Sequence, residues 1–243
     1  MDGLIILNKP SGITSAKALY RVRKLTGQRK SGHAGTLDPA AEGVLILCLG
    51  AATKLVEQLM DQPKLYRATA RLDVTSDSFD SDRPLQPVEV GRVPEPTEVA
   101  AALRQFEGEI LPVPPAVSAL KVGGRPAYKL ERAGRTFELQ PRSVRVYWAQ
   151  VLRYAWPEIE FEVACGRGTY VRALIRDLGA ALKAGGCLTH LTRRAVGPFS
   201  IQDAWTLAAL EEAVDPARYL IPLQSAREMI QSRAGEPGRV APN

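Results

Sequence analysis

Residues 31–50 read SGHAGTLDPAAEGVLILCLG, in which a loop of small residues leads into a long apolar run. The run GVLILCLG at 43–50 is continuously apolar, as is typical of a central strand of a sheet. The preceding segment at 31–39 is too rich in glycine and other small residues for regular structure, and we predict a loop. Because these residues are small, a ligand or a second backbone can approach the loop closely.

Toward the N-terminus, the sequence predicts a strand, a turn and a helix. Residues 3–7, GLIIL, are typical of a short buried strand, and Lys9-Pro10-Ser11-Gly12 is typical of a turn. A helix then begins near Thr14 or Ser15, both of which are good N-caps, and ends at Gly27. Its apolar stripe, which directs the basic side chains toward solvent, consists of Ala18, Leu19, Val22 and Leu25.

Toward the C-terminus, hairpins are mixed with helices. The segment 158–165 places apolar side chains at every second position and therefore predicts a half-buried strand, paired with 144–154. The other predicted elements are helices over 51–60, 97–106, 127–133 and 206–213, a helix that Thr169 caps, strands over 64–72 and 187–199, and an irregular loop over 111–126. This order favours an α+β fold with a mixed, largely antiparallel central sheet that is flanked by helices and loops. We expect one domain over residues 1–215 and a short C-terminal tail over 216–243.

The composition is that of an ordinary globular chain, with 45% hydrophobic and 24% charged residues. No apolar run approaches the roughly 18 residues that a membrane helix needs, and the N-terminus lacks the basic start of a signal peptide. We therefore expect a soluble, cytoplasmic protein. The cysteines Cys48, Cys165 and Cys187 form no CxxC pair and are interpreted as buried free thiols. With only two histidines in the chain, no metal site is expected.

The net charge is +6, and the positive charge is concentrated in separate stretches. Residues 9–37 contain seven basic and no acidic side chains, and residues 121–145 contain seven basic and two acidic ones. In residues 73–98 the sign reverses, with seven acids and two bases. Such stretches are typical of a surface that binds a polyanion such as nucleic acid, but also of solvated helix faces. Charge alone does not decide between these interpretations.

Asp38 is the candidate reactive group in the loop at 31–39. It follows apolar Leu37 and precedes Pro39, which restricts its backbone to extended conformations. A carboxylate in this place is a turn or N-cap residue, a counter-ion for the neighbouring basic side chains, or a reactive group. The residues by themselves leave these three alternatives open.

Four segments of the chain resemble, in the same order, the TruB-type tRNA pseudouridine synthases. They are LNKPSGITS at 7–15, GHAGTLDP at 32–39, PPAVSALKVGGRPAYKLERAG at 114–134 and GRGTYVRALIRDLG at 166–179, and the resemblance extends from about residue 2 to residue 200. It implies the pseudouridine synthase fold and an isomerase that converts uridine at position 55, in the T loop of tRNA, to pseudouridine without a cofactor. It also implies that tRNA is the partner, that no membrane or obligatory protein partner is involved, and that the protein is a monomer.

The resemblance assigns roles to individual residues. Asp38 falls on the family's catalytic aspartate, Tyr66 on the tyrosine that stacks against the target base, and Arg172 on the arginine that pairs with the carboxylate. His33 matches a histidine near the flipped-out nucleotide, and Leu191 matches an apolar residue beneath the base. Lys9, with Pro10, matches the motif that braces the site, and Tyr170, in the segment Thr169-Tyr170-Val171-Arg172, is expected to bind substrate.

These residue types suit the chemistry that the resemblance implies. The reaction breaks the C1′–N1 bond of the nucleotide, turns the base and rejoins it through C5, without redox change or group donor. An ionised carboxylate can act as a nucleophile at C1′, as a nucleophile at C6 or as a base, and the sequence leaves all three open. A guanidinium keeps the carboxylate ionised, and aromatic and apolar walls keep water out.

The chain departs from the family's pattern at two places, with Glu42 instead of a threonine and with residues 72–78 instead of Leu-Gly-x-x-Thr-Asp-Thr. We expect Glu42 to face outward. Many relatives carry a C-terminal RNA-binding module of the PUA type, and residues 216–243 are too few for a complete one. Two other functions remain as alternatives: a guide-RNA-dependent rRNA pseudouridine synthase, and a non-catalytic protein that binds or folds tRNA.

Overall fold

The computed structural model describes residues 1–117, 120–213 and 215–232. In this part of the chain there are two compact units, the first from residues 1–67 and 191–232 and the second from residues 68–190. One unit boundary falls between Arg67 and Ala68, and the other between His190 and Leu191.

In chain order the strands are β1 (Gly3–Lys9), β2 (Ser31–Ala34), β3 (Glu42–Leu49), β4 (Lys64–Arg71), β5 (Val74–Thr75), β6 (Gln86–Pro87), β7 (Gly108–Ile110), β8 (Lys121–Val122), β9 (Arg125–Pro126), β10 (Val144–Ala155), β11 (Glu158–Cys165), β12 (Cys187–Val196), β13 (Phe199–Ser200) and β14 (Ile221–Pro222). The helices are α1 (Ser15–Thr26), α2 (Val56–Asp61), α3 (Pro96–Arg104), α4 (Ala127–Arg132), α5 (Val171–Ala181), α6 (Leu207–Glu212) and α7 (Leu223–Ser232). Short 3₁₀ helices cover Gly50–Leu55, Ile201–Asp203 and Pro216–Arg218.

Strand β3 is the centre of the first unit. Along one edge, β3 pairs antiparallel with the whole length of β1, from Gly3↔Leu49 to Lys9↔Gly43. Along the other edge it pairs antiparallel with β2 and then, at Thr192↔Glu42 and Arg193↔Gly43, parallel with β12. Antiparallel pairs of β1 with β14 and of β12 with β13 extend this sheet. These pairings confirm the expected α+β fold with a mixed, largely antiparallel sheet.

The core of the first unit covers both faces of its sheet, and β3 is paired along both edges, as expected of a central strand. Alternate residues of β1 and β3 face opposite ways, so that Ile6 and Ile46 belong to one apolar cluster while Ile5 and Leu47 belong to the other. Helices α2 and α7 and the 3₁₀ helix Gly50–Leu55 contribute to the first cluster, and α1 and α6 to the second. All three cysteines are buried free thiols, as predicted.

The second unit is built on the predicted hairpin of β10 and β11, which pair antiparallel, and β7 pairs antiparallel with the outer edge of β10. Ile159, Phe161 and Val163 of β11 are fully buried, and the intervening glutamates are partly exposed. Helix α5 buries Leu174, Ile175 and Leu178 on one face. The alternation of apolar residues in β11 and their helical spacing in α5 therefore correctly predicted which residues lie in the core of this unit.

Several local predictions were wrong for identifiable reasons. Residues 31–34 form strand β2 rather than loop, because pairing with β3 holds them despite their small side chains. Helix α5 has Tyr170, not Thr169, as its N-cap, and the Thr169 hydroxyl donates instead to the Gly166 carbonyl. Leu25, expected in the apolar stripe of α1, is 44% exposed.

Two predicted segments differ in extent from the structure. The loop predicted over 111–126 contains the short pair β8–β9, and its residues Ser118 and Ala119 lie outside the described residues. Helix α7 was not predicted, although its Ala226 and Ile230 are buried in the first unit. The part of the expected tail from residue 233 onward also lies outside the described residues. None of the helices in the described ranges combines the length and the apolar character that crossing a membrane requires.

Candidate active site

Asp38 lies in the loop between β2 and β3 and is half-buried. The Ser15 hydroxyl binds both backbone polar groups of the preceding residue, Leu37. Its Oγ accepts from the Leu37 N–H at 2.9 Å and donates to the Leu37 carbonyl at 3.0 Å. Ser15 is the first residue of α1 and is 1% exposed. Beyond Asp38, its own carbonyl accepts from the Ala41 N–H at 3.2 Å. The backbone that presents the carboxylate is therefore firmly held.

Lys9 fixes the far side of the same loop. It ends β1, is 0% exposed, and its Nζ donates to the carbonyls of Pro10 and Ile13 at 2.8 Å and of Pro39 at 3.3 Å. The Gly12 N–H also donates to the Pro39 carbonyl, at 2.8 Å. Burial lowers the pKa of Lys9 to about 8, although the charges of Asp38 and Glu42 oppose that shift. The ammonium thus ties the 10–13 turn to the residue after Asp38.

Arg193 of β12 is a second buried cation, and sequence reasoning missed it. Its side chain is 1% exposed, and it donates from Nε to the Val44 carbonyl at 2.7 Å and from Nη2 to the Gly35 carbonyl at 3.0 Å. A usable signal was present: in a strand, consecutive residues face opposite ways, so one of Arg193 and Arg194 had to point inward.

Three further predicted residues lie in the first unit. Tyr66 and Leu191 are partly buried and pack against the apolar cluster that contains Leu37, the residue before Asp38. His33 lies on β2, and burial, followed by the charge of Arg193, lowers its pKa. Its buried Nδ1 has no hydrogen-bond partner among the described residues. The structure therefore brings Tyr66, Leu191 and the Asp38 loop to one apolar cluster.

Glu42 is held by β12 rather than pointing freely outward. It is half-buried at the start of β3, and its Oε1 accepts a hydrogen bond from the Thr192 hydroxyl at 3.1 Å. This contact lies where the parallel pairing of β3 with β12 begins.

Arg172 and Tyr170 belong to the second unit, where Arg172 is in the first turn of α5 and 5% exposed. Its guanidinium donates to the Val117 carbonyl at 2.9 Å and to the Ser78 carbonyl at 3.3 Å. The loop at 76–80 that supplies Ser78 also contains Asp80, a carboxylate only 9% exposed, and Ser76 Oγ bonds both the N–H and the carbonyl of Asp80. Sequence reasoning did not single out Asp80, because its burial depends on that loop.

Residues 72–78 differ from the family's sequence pattern, but another segment of the backbone still approaches them closely. Gly185 lies so near β5 that a Cβ on it would be 2.5 Å from the Val74 carbonyl oxygen, and its N–H donates to the Leu72 carbonyl at 2.7 Å. The glycine that permits this contact is thus on the other segment, after α5.

The first unit combines a half-buried carboxylate on a fixed loop with an aromatic and an aliphatic side chain on the adjoining cluster. A carboxylate on a backbone held in this way can act as a nucleophile or a base. Within residues 1–117, 120–213 and 215–232, no three His, Cys, Asp or Glu side chains are grouped so that they could hold a metal ion.

Comparison with known sequences identifies relatives over most of the chain. The family described as TruB family pseudouridylate synthase (N terminal domain) matches residues 23–171, and the tRNA pseudouridylate synthase B C-terminal domain matches residues 172–231. The tRNA pseudouridine synthase B of Burkholderia mallei is 43% identical over 218 residues, which cover 90% of this chain and 72% of the relative. That of Syntrophobacter fumaroxidans is 38% identical over 242 residues, which cover 98% of this chain and 79% of the relative.

Solved structures show the same fold. A chain from the crystal structure of a Cbf5–Nop10–Gar1 complex superposes with a TM-score of 0.72 at 30% identity, covering 93% of this chain and 62% of that one. A chain from an H/ACA RNP bound to a substrate RNA gives 0.70 at 28% identity, covering 93% of this chain and 61% of that one. The chain thus spans about three fifths of these structural relatives. Together with the fixed Asp38 loop, the family matches and sequence identities show that the chain belongs to the TruB family of pseudouridylate synthases.

Proposed function

We propose that this protein isomerises uridine to pseudouridine in tRNA, at position 55 of the T loop, with Asp38 as the catalytic carboxylate and without a cofactor. The observation that carries the proposal is the half-buried Asp38 on a loop whose flanking residues, Leu37 and Pro39, are both held by buried side chains. The relatives that match most of the chain are named tRNA pseudouridine synthase B, which supports tRNA as the substrate.

The reaction is an internal exchange of bonds. The C1′–N1 bond breaks, the uracil turns, and a C1′–C5 bond forms, while C5 loses a proton and N1 gains one. Asp38 acts as the ionised carboxylate, which attack at C1′, attack at C6 and proton abstraction all require. We assign Arg172, whose guanidinium stays charged and donates to the Val117 and Ser78 carbonyls in the second unit, to the substrate-binding residues.

The apolar cluster beside the loop suits a flipped-out base. Tyr66 offers an aromatic face, which offsets part of the few kcal/mol that unstacking a base costs. Leu191 packs against the same cluster and excludes water, which would otherwise capture the sugar and leave an abasic site. We assign His33 to the neighbourhood of the target nucleotide and Tyr170 to substrate binding. The buried Nδ1 of His33, without a partner among the described residues, is a polar atom that a nucleotide could satisfy.

The partner in this proposal is the T stem-loop of tRNA, and the protein acts as a monomer with no obligatory protein partner, in the cytoplasm. The exposed bases of α1, among them Lys17, Arg21 and Lys24, would contact phosphates. Phosphate contacts set affinity and salt dependence, whereas the choice of uridine depends on the shape of the loop and on its splayed bases.

The test is an Asp38→Asn variant incubated with unmodified tRNA, followed by mapping of any pseudouridine. We expect wild-type protein to modify position 55, and the variant to bind tRNA with a Kd within roughly threefold of wild type while forming no product. Asp203→Asn is the matched control, since Asp203 is an exposed aspartate on the 3₁₀ helix Ile201–Asp203. Normal turnover by Asp38→Asn, or wild-type modification of another position only, would contradict the proposal.

A further inference from the structure

The edge of β3 changes partner close to Asp38. The last pair with β2 is Ala34↔Ile46, and the nearest pair with β12 is Arg193↔Gly43. Val44 and Leu45 lie between these two pairings. At this point β2 leaves β3, and the chain continues through Gly35 toward Asp38.

The Arg193 guanidinium lies where the two strands separate. Its Nε donates to the Val44 carbonyl on β3 at 2.7 Å, and its Nη2 donates to the Gly35 carbonyl on the departing segment at 3.0 Å. One rigid, planar group therefore bridges the strand and the loop, as ladder hydrogen bonds would if the strands stayed together. Because the two donors are fixed relative to each other, they also fix the two carbonyls relative to each other.

Two glycines lie beside Arg193 at this point of the sheet. Gly35 has φ +87°, and a Cβ on it would lie 3.4 Å from Arg193 Nη1. Gly43 has φ +100°, and a Cβ on it would lie 2.3 Å from the Arg193 carbonyl oxygen, which no side chain allows. Gly43 thus allows the backbones of β3 and β12 to approach closely, and Gly35 has a left-handed backbone conformation beside the guanidinium.

The bridge completes a set of anchors around Asp38. Leu37, one residue before it, is held by Ser15, and Pro39, one residue after it, is held by Lys9 and Gly12. Arg193 holds Gly35, three residues before it, where the loop begins. The charge of Arg193 also lowers the pKa of Lys9 and of His33, in each case after the larger effect of burial.

We infer that Arg193 is a positioning residue for the Asp38 carboxylate, acting through the Gly35 carbonyl and not by contact with substrate. This inference rests on the proposed function for its catalytic consequence. A fixed loop matters because a misplacement of about 1 Å can lower the rate of a positioned reaction on the order of 100-fold. Lysine cannot replace the arginine, since a single ammonium does not reproduce two donors at a fixed separation.

The experiment compares Arg193→Lys with Arg194→Lys, the same change at the next residue of β12, which is partly exposed. For Arg193→Lys we expect the single-turnover rate at saturating tRNA to fall by at least about tenfold, with the Kd for tRNA within about threefold of wild type. We also expect faster amide hydrogen exchange in a peptide covering residues 32–38. Arg194→Lys should match wild type in all three measurements.

A purely structural role of Arg193 would give different results for these variants. A folded Arg193→Lys protein that melts at a lower temperature but keeps the wild-type rate would overturn the inference, as would unchanged exchange at 32–38. If Arg193→Lys does not fold, Arg193→Gln, which leaves no buried charge, is measured instead, and the same loss of rate is expected. If neither variant folds, Arg193 supports the whole unit rather than the loop, and the inference is overturned. A wild-type protein that forms no pseudouridine would defeat the proposed function, while the exchange measurement, which needs no substrate, would still decide whether Arg193 fixes the loop.

Discussion

Lys9 shows how a single buried charge is made compatible with the core beside Asp38. An ammonium has three donors and no acceptor, and Nζ of Lys9 donates to three backbone carbonyls. Even so, removal from water disfavours the charged form, which is why its pKa falls to about 8. The same carbonyls would be left without this donor if the side chain were replaced, so both the charge and the hydrogen bonds affect stability.

The lowered pKa of Lys9 predicts a dependence of stability on pH. The pKa is about 8 in the folded protein and near the ordinary 10.5 in the unfolded chain, so between these values the unfolded chain binds more protons. The contribution of Lys9 to the free energy of unfolding therefore rises as the pH rises from about 8 to 10.5. We expect urea titrations to show wild type gaining stability relative to Lys9→Met across this window.

Comparison with a variant is needed because other groups also titrate at high pH, among them Cys48, whose pKa burial raises to about 12. Lys17→Met serves as control, since Lys17 is exposed on α1. The Lys17→Met variant measures the effect of removing an exposed lysine. A stability difference between wild type and Lys9→Met that stays constant with pH would show that Lys9 titrates in the folded protein as it does in the unfolded chain.

Helix α1 has two faces with different roles. Its buried residues, Ser15, Ala18 and Val22, attach it to the sheet and to the Asp38 loop. The opposite face carries an exposed stripe at helical spacing, formed by Lys17, Tyr20, Arg21 and Lys24. Arg21 also forms a salt bridge with Glu211 of α6, so Lys17 and Lys24 are the better sites for testing phosphate contacts.

This stripe predicts a change in the salt dependence of tRNA binding. Each phosphate contact releases counterions, so Lys17→Gln and Lys24→Gln should each lower the slope of log Kd against log salt concentration by about 1. The rate at saturating tRNA should remain that of wild type, because neither side chain is assigned to the chemistry. The measurement is a filter-binding titration at several salt concentrations.

Lys54→Gln is the matched control for this prediction. Lys54 is an exposed lysine on the 3₁₀ helix Gly50–Leu55, which covers the opposite face of the sheet in the first unit. Its substitution should leave the slope unchanged. Equal slopes for all three variants and wild type would mean that α1 does not face the RNA.

Elements that carry their own burial pattern could be predicted from the sequence. Strands β1, β3 and β11 and helix α1 have apolar residues at strand or helix spacing, and the structure places them close to the predicted ranges. Strand β2 and helix α7 could not be predicted in this way. The small residues of β2 have no periodic pattern and are held by pairing with β3, and α7 is stabilised mainly where Ala226 and Ile230 enter the core.

The residues of the candidate site likewise differ in how far they could be predicted from the sequence. Asp38 and Lys9 stand in recognisable local segments, whereas Ser15 and Arg193 act on residues that are distant in sequence. Ser15 bonds Leu37 across 22 positions, and Arg193 bonds Val44 across 149. Such contacts depend on how the strands are ordered in the sheet, and the sequence alone predicted the fold class but not that order.

Two groups of relatives match the molecule over most of its length. The structural relatives come from assemblies, a Cbf5–Nop10–Gar1 complex and an H/ACA RNP with substrate RNA, at 30% and 28% identity. The sequence relatives named tRNA pseudouridine synthase B are 43% and 38% identical, and this chain covers 72% and 79% of their lengths. The higher identity and coverage place this chain nearer to the relatives named tRNA pseudouridine synthase B.

This similarity predicts that the purified chain needs neither a guide RNA nor a second protein. The net charge of +6 supplies attraction to RNA phosphates, and the shape of the folded loop supplies the choice of nucleotide. We therefore expect conversion of an isolated T stem-loop with a kcat/KM within roughly tenfold of that for whole tRNA, a difference of about 1.4 kcal/mol. A stem-loop with cytidine in place of the target uridine is the control and should give no pseudouridine. Conversion that appears only after a guide RNA or another protein is added would instead place this chain with the guide-dependent enzymes, since the single chain would then lack a part of the recognition surface.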